Sequence, residues 1–156
     1  MRELDRKILL QLLRDGRQPV VKLARRVGAS RQTVTKRLEQ LRGSGVISSF
    51  TARLDPEKLG LGTRAYIFLS EAPQAKIRRR NEEVIKKLHQ VSGFYRLFGE
   101  YSAILEVRVR DSRELTTLVK KIHRLRGVKE TKTFIVHSTV KDTPEGPFVE
   151  VLVRGA

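Results

Sequence analysis

The most informative part of the sequence is residues 19–45, which read PVVKLARRVGASRQTVTKRLEQLRGSG. Pro19 suits the first position of a helix, because its missing N–H would be unused there. Apolar residues then follow at the spacing of one helix face: Val20, Leu23, Ala24 and Val27. Gly28 can turn the chain with a positive φ, and Ser30 can cap a further helix. The apolar stripe of that helix is Val34, Leu38 and Leu41. Two helices joined by so short a turn are typical of a helix-turn-helix.

A further helix precedes this pair. Ile8, Leu9, Leu12 and Leu13 repeat at helical spacing, and Gly16 supplies a stop. The three helices predict an N-terminal helix-turn-helix domain, similar to a winged helix, over residues 1–55. The same apolar pattern also occurs in three-helix corners that bind no DNA, so the charged residues must distinguish the two interpretations.

The chain is strongly basic, with 33 Lys and Arg residues against 17 Asp and Glu residues and a net charge of +16. Abundant charge, no Cys and one Met also resemble a thermophile's composition, but that interpretation predicts a nearly balanced charge. The excess therefore favours a polyanionic partner such as nucleic acid. Charge is dense in residues 17–42, where eight basic residues accompany one acidic residue, Glu39.

The helix that follows Ser30 is the candidate recognition helix. With Val34 facing the core, its first two turns present four residues that can reach base edges in the major groove: Arg31, Gln32, Thr35 and Lys36. The residues placed to hold phosphates are Arg17, Lys22, Arg25, Arg26, Thr33 and Arg37. For any single one of these side chains, a solvated surface position is an equally good interpretation. As a set they predict a double-stranded DNA partner.

The segment after the recognition helix predicts a strand and then a hinge. Phe50, Ala52 and Leu54 alternate with polar residues, which favours a strand. Residues 56–62 contain one proline and two glycines, and we interpret them as a hinge or linker between domains.

Residues 63–140 predict a second domain in which strands alternate with helices. The expected strands are residues 64–70, 94–98, 102–110 and 128–140, and the expected helices are residues 77–91 and 111–125. This βαββαβ order indicates a ferredoxin-like domain, so the whole chain is expected to be α+β. Both helices would cover one face of the sheet. The other face also carries apolar and aromatic residues, so we expect a second subunit to cover it. Residues 141–156 form a C-terminal tail in which residues 148–153 are a candidate edge strand.

Taken in combination, several of these motifs resemble the Lrp/AsnC family of transcriptional regulators, also called the leucine-responsive or feast/famine family. In the first half, the residues that carry the resemblance are Leu4-Asp5, Ile8-Leu9, Leu23-Ala24, Ser30, Thr33-Val34, Arg37-Leu38, Leu41 and Gly45-Val46-Ile47. In the second half they are Gly99-Glu100-Tyr101, Gly127-Val128, Thr131 and Thr133. The resemblance spans about residues 3–140 and leaves out the last sixteen residues.

The resemblance implies an intracellular transcription regulator, and we expect it in the cytoplasm. The longest purely apolar stretches of the sequence are only a few residues long, so no membrane contact is expected. Its N-terminal domain would bind DNA, while its C-terminal domain would form homodimers that assemble into tetramers or octamers. It also implies an amino acid or another small molecule as effector, bound around Gly99, Glu100, Tyr101, Ser102, Thr131 and Thr133. In the family an acidic residue often follows the Gly99 turn, and here Ser102 stands in its place. The alternative is structural, with Gly99 as a hairpin turn and the two threonines as polar strand positions.

Other classes of function find little support in the sequence. Three histidines, His89, His123 and His137, fall on separate predicted elements, and no Cys is present. No glycine-rich phosphate loop and no nucleophile beside a base is recognisable, so we expect no catalytic residue, no metal and no cofactor. The alternative to a regulator is an architectural, chromatin-like protein that binds DNA with low sequence specificity.

Overall fold

The turn between the second and third helices has the geometry of a helix-turn-helix. The computed structural model describes residues 1–154, and its first helices are α1 (Glu3–Arg14), α2 (Val20–Val27) and α3 (Arg31–Gly43). Gly28 has a φ of 70°, a left-handed conformation that strains residues with a Cβ. Ser30 caps α3 by accepting a hydrogen bond from the Thr33 N–H at 3.1 Å. The predicted helix-turn-helix is confirmed.

A small apolar core holds the three helices together. Its buried members are Ile8, Leu23, Ala24, Val27, Val34 and Leu41. Val34 is completely buried, so the residues on the far side of α3 are turned toward solvent.

The contact between α1 and α3 also contains a buried ion pair. Asp5 is 3% exposed, although the residue is charged. The Arg37 guanidinium donates to both Asp5 carboxylate oxygens, from Nε at 2.7 Å and from Nη2 at 2.5 Å. The hydrogen bonds from Arg37 hold the pKa of Asp5 below its ordinary value of 3.8, against the opposing effect of burial.

Acid is therefore expected to destabilise this domain through Asp5. Because the pKa of Asp5 is lower in the folded state, its stabilising contribution is complete above pH 3.8 and is lost as the pH falls further. We expect the Asp5→Asn variant to be less stable than wild type at pH 7 and to lose less stability between pH 4 and pH 3. Urea unfolding at both pH values measures this difference. Glu39→Gln, which alters an exposed carboxylate of α3, is the control and should keep the wild-type pH dependence.

The second half of the chain forms a four-stranded antiparallel sheet with two helices. The strands are β1 (Thr63–Glu71), β2 (Val91–Arg96), β3 (Ala103–Val109) and β4 (Val128–Ile135), in the order β2-β3-β1-β4. The helices are α4 (Ala75–Ile85) and α5 (Ser112–His123). The βαββαβ order and the ferredoxin-like α+β fold are confirmed.

Both helices pack on the same face of this sheet. Alternate residues of β1, namely Ala65, Ile67 and Leu69, are completely buried. They share a core with their β3 neighbours and with Ile85, Leu118 and Ile122 of the helices. The register pairs Ile67 with Leu105 of β3 and with Thr133 of β4. Residues of the other parity, including Tyr66 and Phe68, lie on the opposite, helix-free face, which we call the open face.

Two elements of this sheet domain are shorter than the sequence predicts. The helix expected over residues 77–91 ends at Ile85, and Leu88 is buried from the turn that follows. The apolar spacing over residues 77–91 therefore indicates which residues are buried, but not where the helix ends. The strand expected over residues 128–140 ends at Ile135, which pairs with Ala65 of β1, and one further backbone hydrogen bond joins the Val136 N–H to the Arg64 carbonyl at 2.9 Å.

The strand predicted at Phe50–Leu54 is not formed. Residues 48–55 do not form a strand, and none of the four strands of the described chain pairs with them. An alternating pattern needs a neighbouring strand for its backbone groups, and a single protomer supplies none here.

The candidate edge strand at residues 148–153 is also wrong, because this segment belongs to a helix, α6 (Gly146–Arg154). α6 packs against α1 and buries Leu152. Just before α6, Asp142 and Glu145 form ion pairs with Arg53 at 3.3 Å and 3.6 Å.

The chain divides into two compact units. The first comprises residues 1–53 together with residues 141–154, and the second comprises residues 54–140. Across the described residues, no helix combines the length and the apolar character that a membrane span requires.

Candidate nucleic-acid interface and effector-side turn

The exposed side of α3 gathers the residues predicted to read bases. Arg31, Gln32, Thr35 and Lys36 line one shallow concavity of the surface together with Glu39. All five side chains are exposed, whereas Val34 and Leu41 of the same helix are buried. The structure thus brings the four predicted residues together on one accessible face. Their contacts with bases stay a prediction.

The first turn of α3 is held by the cap. The Ser30 and Thr33 hydroxyls lie 2.8 Å apart, and the Ser30 Oγ also accepts the Thr33 N–H. Thr33 remains exposed, at the N-terminal end of the helix, where backbone N–H groups and the helix dipole favour an anion.

The predicted phosphate-binding residues before α3 have different surroundings. Lys22 and Arg25 are exposed on α2, and Arg17 is exposed in the loop before it. Arg26 is exposed too, but its Nη1 donates to the Gln18 side-chain oxygen at 3.1 Å.

Gln18 is a buried residue whose structural role is not predicted from the sequence. Its amide nitrogen donates to the backbone carbonyls of Gln11 and Asp15, both at 2.9 Å. Arg26 and Gln18 therefore fix the α1–α2 loop. The sequence carries no clear signal of this, since Gln18 lies between Arg17 and Pro19 in a polar turn.

Arg37 differs from the other predicted phosphate contacts. Its guanidinium is engaged with Asp5 and lies on the α1 side of α3, away from the exposed base-reading face. The contact stabilises the domain, and a phosphate contact by Arg37 stays a prediction. The sequence contains a signal that Asp5 is buried. Asp5 shares one helix face with Ile8, Leu9 and Leu12, so it lies on the apolar stripe of α1.

The predicted effector residues are divided between the two faces of the sheet. The Tyr101 ring packs against Phe68 of the open face, with 5.2 Å between the ring centroids. Thr131 and Thr133 pair with Leu69 and Ile67, on the face that the helices cover, and the Thr131 hydroxyl lies 3.2 Å from His123 Nδ1. Within one protomer these residues do not form a single pocket.

Ser102 is held by the backbone of β1. Its hydroxyl donates to the Leu69 carbonyl and accepts the Glu71 N–H, both at 3.0 Å. The adjacent Gly99 has a φ of 140°, which favours glycine, and Glu100 is exposed. Ser102 thus helps to join β3 to β1.

A cleft of about 360 Å³ lies beside Ser102. Its lining comes mainly from α4 and from the segment after β2: Ala75, Arg78, Arg79, Glu82, Arg96, Leu97, Phe98 and Ser102. Apart from Ser102, none of these residues is predicted from the sequence to belong to a site. Three arginines face one carboxylate here, so the cleft has a positive charge.

One wall of the cleft is a buried polar network. Arg96 pairs with the completely buried Glu71 side chain and donates to Glu82 Oε1 from Nε at 2.9 Å. Asn81 donates to Glu71 Oε1 at 2.9 Å and to the Arg126 carbonyl at 3.0 Å. Burial disfavours the charge on Arg96, but the two carboxylates outweigh it and raise its pKa.

Two family models match this chain. Residues 1–48 match a winged helix-turn-helix DNA-binding domain, and residues 64–146 match the Lrp/AsnC ligand binding domain. The chain belongs to the Lrp/AsnC family of transcriptional regulators.

Curated relatives support the same family assignment over nearly the whole chain. The HTH-type transcriptional regulator FL11 of Pyrococcus horikoshii is 33% identical over 147 residues, covering 93% of this chain and 95% of that protein. The proline dehydrogenase transcriptional activator of Rhizobium radiobacter is 35% identical over 142 residues, covering 89% and 90%.

Solved structures of Lrp/AsnC proteins have the same fold. A transcriptional regulator of Neisseria meningitidis in complex with L-Met has a TM-score of 0.89 at 27% identity, covering 95% of this chain and 99% of that one. Escherichia coli AsnC has a TM-score of 0.82 at 26% identity, covering 92% and 99%. The Lrp/AsnC resemblance noted in the sequence is confirmed, and the chain is a transcriptional regulator with a DNA-binding and a ligand-binding domain.

Proposed function

We propose that this Lrp/AsnC regulator binds specific DNA sequences as a dimer, acting in the cytoplasm. The observation that carries the proposal is the exposed face of α3, where Arg31, Gln32, Thr35 and Lys36 lie together. Gln32 can pair with adenine N6 and N7, while Arg31 or Lys36 can donate to guanine O6 and N7. Lys22, Arg25, Arg26 and Arg17 would hold phosphates and fix the orientation on the duplex.

The dimer is proposed to form through the open face of the sheet. Phe68 lies at its centre, with ring centroids 5.2 Å from Tyr101 and 5.6 Å from Phe134. Phe134 remains 49% exposed, so this aromatic cluster has apolar surface left to bury. A second copy can cover the same surface by two-fold symmetry. Further assembly into tetramers or octamers is part of the same proposal.

A two-fold dimer presents two α3 helices to successive major grooves. The binding site should then be a pseudo-palindrome with half-sites about 10 base pairs apart. Selection of bound duplexes from a random pool tests this. Enrichment of such a palindrome supports the proposal, whereas enrichment of no motif would identify an architectural DNA-binding protein instead.

Removing a base-reading side chain should weaken binding at the selected site. We expect Gln32→Ala or Lys36→Ala to cost about 1–3 kcal/mol there and to leave binding to a scrambled duplex nearly unchanged. Fluorescence anisotropy with both duplexes measures the difference. Lys58→Ala, at an exposed position outside the helix-turn-helix, is the control and should bind both duplexes as the wild type does. Equal losses on both duplexes would contradict base reading by α3.

We also propose a small-molecule effector, an amino acid or a related compound, for the ligand-binding domain. The support is the family match and the L-Met complex of the Neisseria relative. The proposed residues are those around Gly99 together with Thr131 and Thr133. Calorimetry with a panel of free amino acids tests the proposal, and no heat of binding across the panel, with DNA binding unaffected, would contradict it.

A further inference from the structure

Positive charge is concentrated on α4 and α5 of the sheet domain, outside the helix-turn-helix. Nine exposed basic residues lie within residues 75–87 and 112–124: Lys76, Arg79, Arg80, Lys86, Lys87, Arg113, Lys120, Lys121 and Arg124. Both stretches are completely described by the structure, and Glu83 is the one exposed acidic residue in them. We call these nine residues the basic helix face.

The periodicity of α4 and α5 explains why these charges share one side. Ile85, Leu118 and Ile122 point into the core against the sheet. Arg113, Lys120 and Arg124 recur at intervals of seven and four, so they form a stripe on the opposite side of α5. The charges therefore project outward from the same helical layer.

Internal pairing does not neutralise the basic helix face. Lys86 pairs with Glu83 at 3.2 Å. The half-buried carboxylates of the two helices are engaged elsewhere, since Glu82 binds Arg96 and Glu114 accepts the Arg110 N–H. A thermophilic charge network would show alternating signs and many pairs. The excess of one sign instead fits a polyanionic partner.

We propose that the basic helix face is a second DNA-binding surface that holds the backbone of duplex DNA without reading its sequence. Lysine and arginine contacts to phosphates give affinity independent of base sequence. His123 apart, neither stretch contains an aromatic ring on which unpaired bases could stack, which favours a duplex over a single strand. The inference rests on the proposed function, because DNA held by α3 raises the local concentration of flanking duplex.

The test removes three charges from the full-length protein. Arg80→Gln, Lys120→Gln and Arg124→Gln are combined, and a matched triple variant, Arg14→Gln, Lys58→Gln and Lys141→Gln, loses the same charge from exposed residues elsewhere. Binding to a random 60-base-pair duplex is measured by anisotropy over a range of salt concentrations. Each lost phosphate contact should make the slope of log K against log salt shallower by about 0.9.

We expect the helix-face triple variant to lose about 2–3 from this slope and the matched triple variant to lose less than 1. Equal slopes for the two variants would overturn the inference. The inference would also be overturned if the helix-face triple variant lost affinity only for single-stranded RNA of the same length. That result would identify RNA as the partner. Selection of a palindrome by α3 is scored separately, so the inference can fail while the proposed regulator function stands. Circular dichroism and gel filtration confirm that both variants keep their fold and assembly.

Discussion

The Phe68→Asp variant is expected to be monomeric at concentrations where the wild-type protein is dimeric. Phe68 lies at the centre of the open face, between Tyr101 and Phe134. A two-fold interface would bury two new carboxylates without partners, and each costs several kcal/mol. We therefore expect the affinity for the selected palindrome to fall by at least about 100-fold, or roughly 2.7 kcal/mol. Analytical ultracentrifugation and anisotropy measure the two effects.

Phe148→Asp is the matched control for this experiment. Phe148 is 60% exposed on α6, and it receives the same substitution outside the sheet. It should leave both assembly and palindrome affinity close to wild type. A Phe68→Asp variant that folds and stays dimeric would show that the protomers associate through another surface.

The Arg96→Met variant is expected to lose about 3 kcal/mol of stability at neutral pH. The change leaves the Glu71 carboxylate buried with Asn81 as its remaining side-chain donor, and an uncompensated buried charge is strongly destabilising. The measurement is urea denaturation followed by circular dichroism. Arg96 itself is one-third exposed, so this expectation lies at the lower end of the range for buried pairs.

Two further variants separate this explanation from a general packing effect. Arg79→Met, at an exposed position of the same cleft, should change stability by less than about 0.5 kcal/mol. Adding Glu71→Gln to Arg96→Met should restore at least about 1 kcal/mol, because it removes the unpaired charge. No recovery in the double variant would mean that the carboxylate is not the source of the loss.

The elements that were predicted correctly depend on local signals. Pro19, Gly28 and Ser30 mark the ends of α2 and α3. Gly28 and Ser30 lie at the expected positions, whereas Pro19 is the residue just before α2 rather than its first helical residue. The βαββαβ order can likewise be predicted from local patterns, such as the alternation along β1 and β3 and the helix cap at Asp111. Short-range periodicity determines which face of each element is buried.

The features that were missed depend on contacts between residues far apart in sequence. Asp5 and Arg37 are 32 positions apart, and Glu71 and Arg96 are 25 apart, so no local spacing relates them. The pattern at residues 148–153 fits a strand or a helix equally well, and its packing against α1 resolves the ambiguity. The shared exposure of the four predicted base-reading residues follows from helical periodicity once Val34 faces the core.

The return of the C-terminal segment to the first unit has a consequence for biosynthesis. Arg53 pairs with Asp142 and Glu145, and α6 rests on α1. After the helix-turn-helix has emerged from the ribosome, the whole ligand-binding domain must still be translated before α6 emerges. The DNA-binding unit thus reaches its finished form only after the ligand-binding domain has been translated.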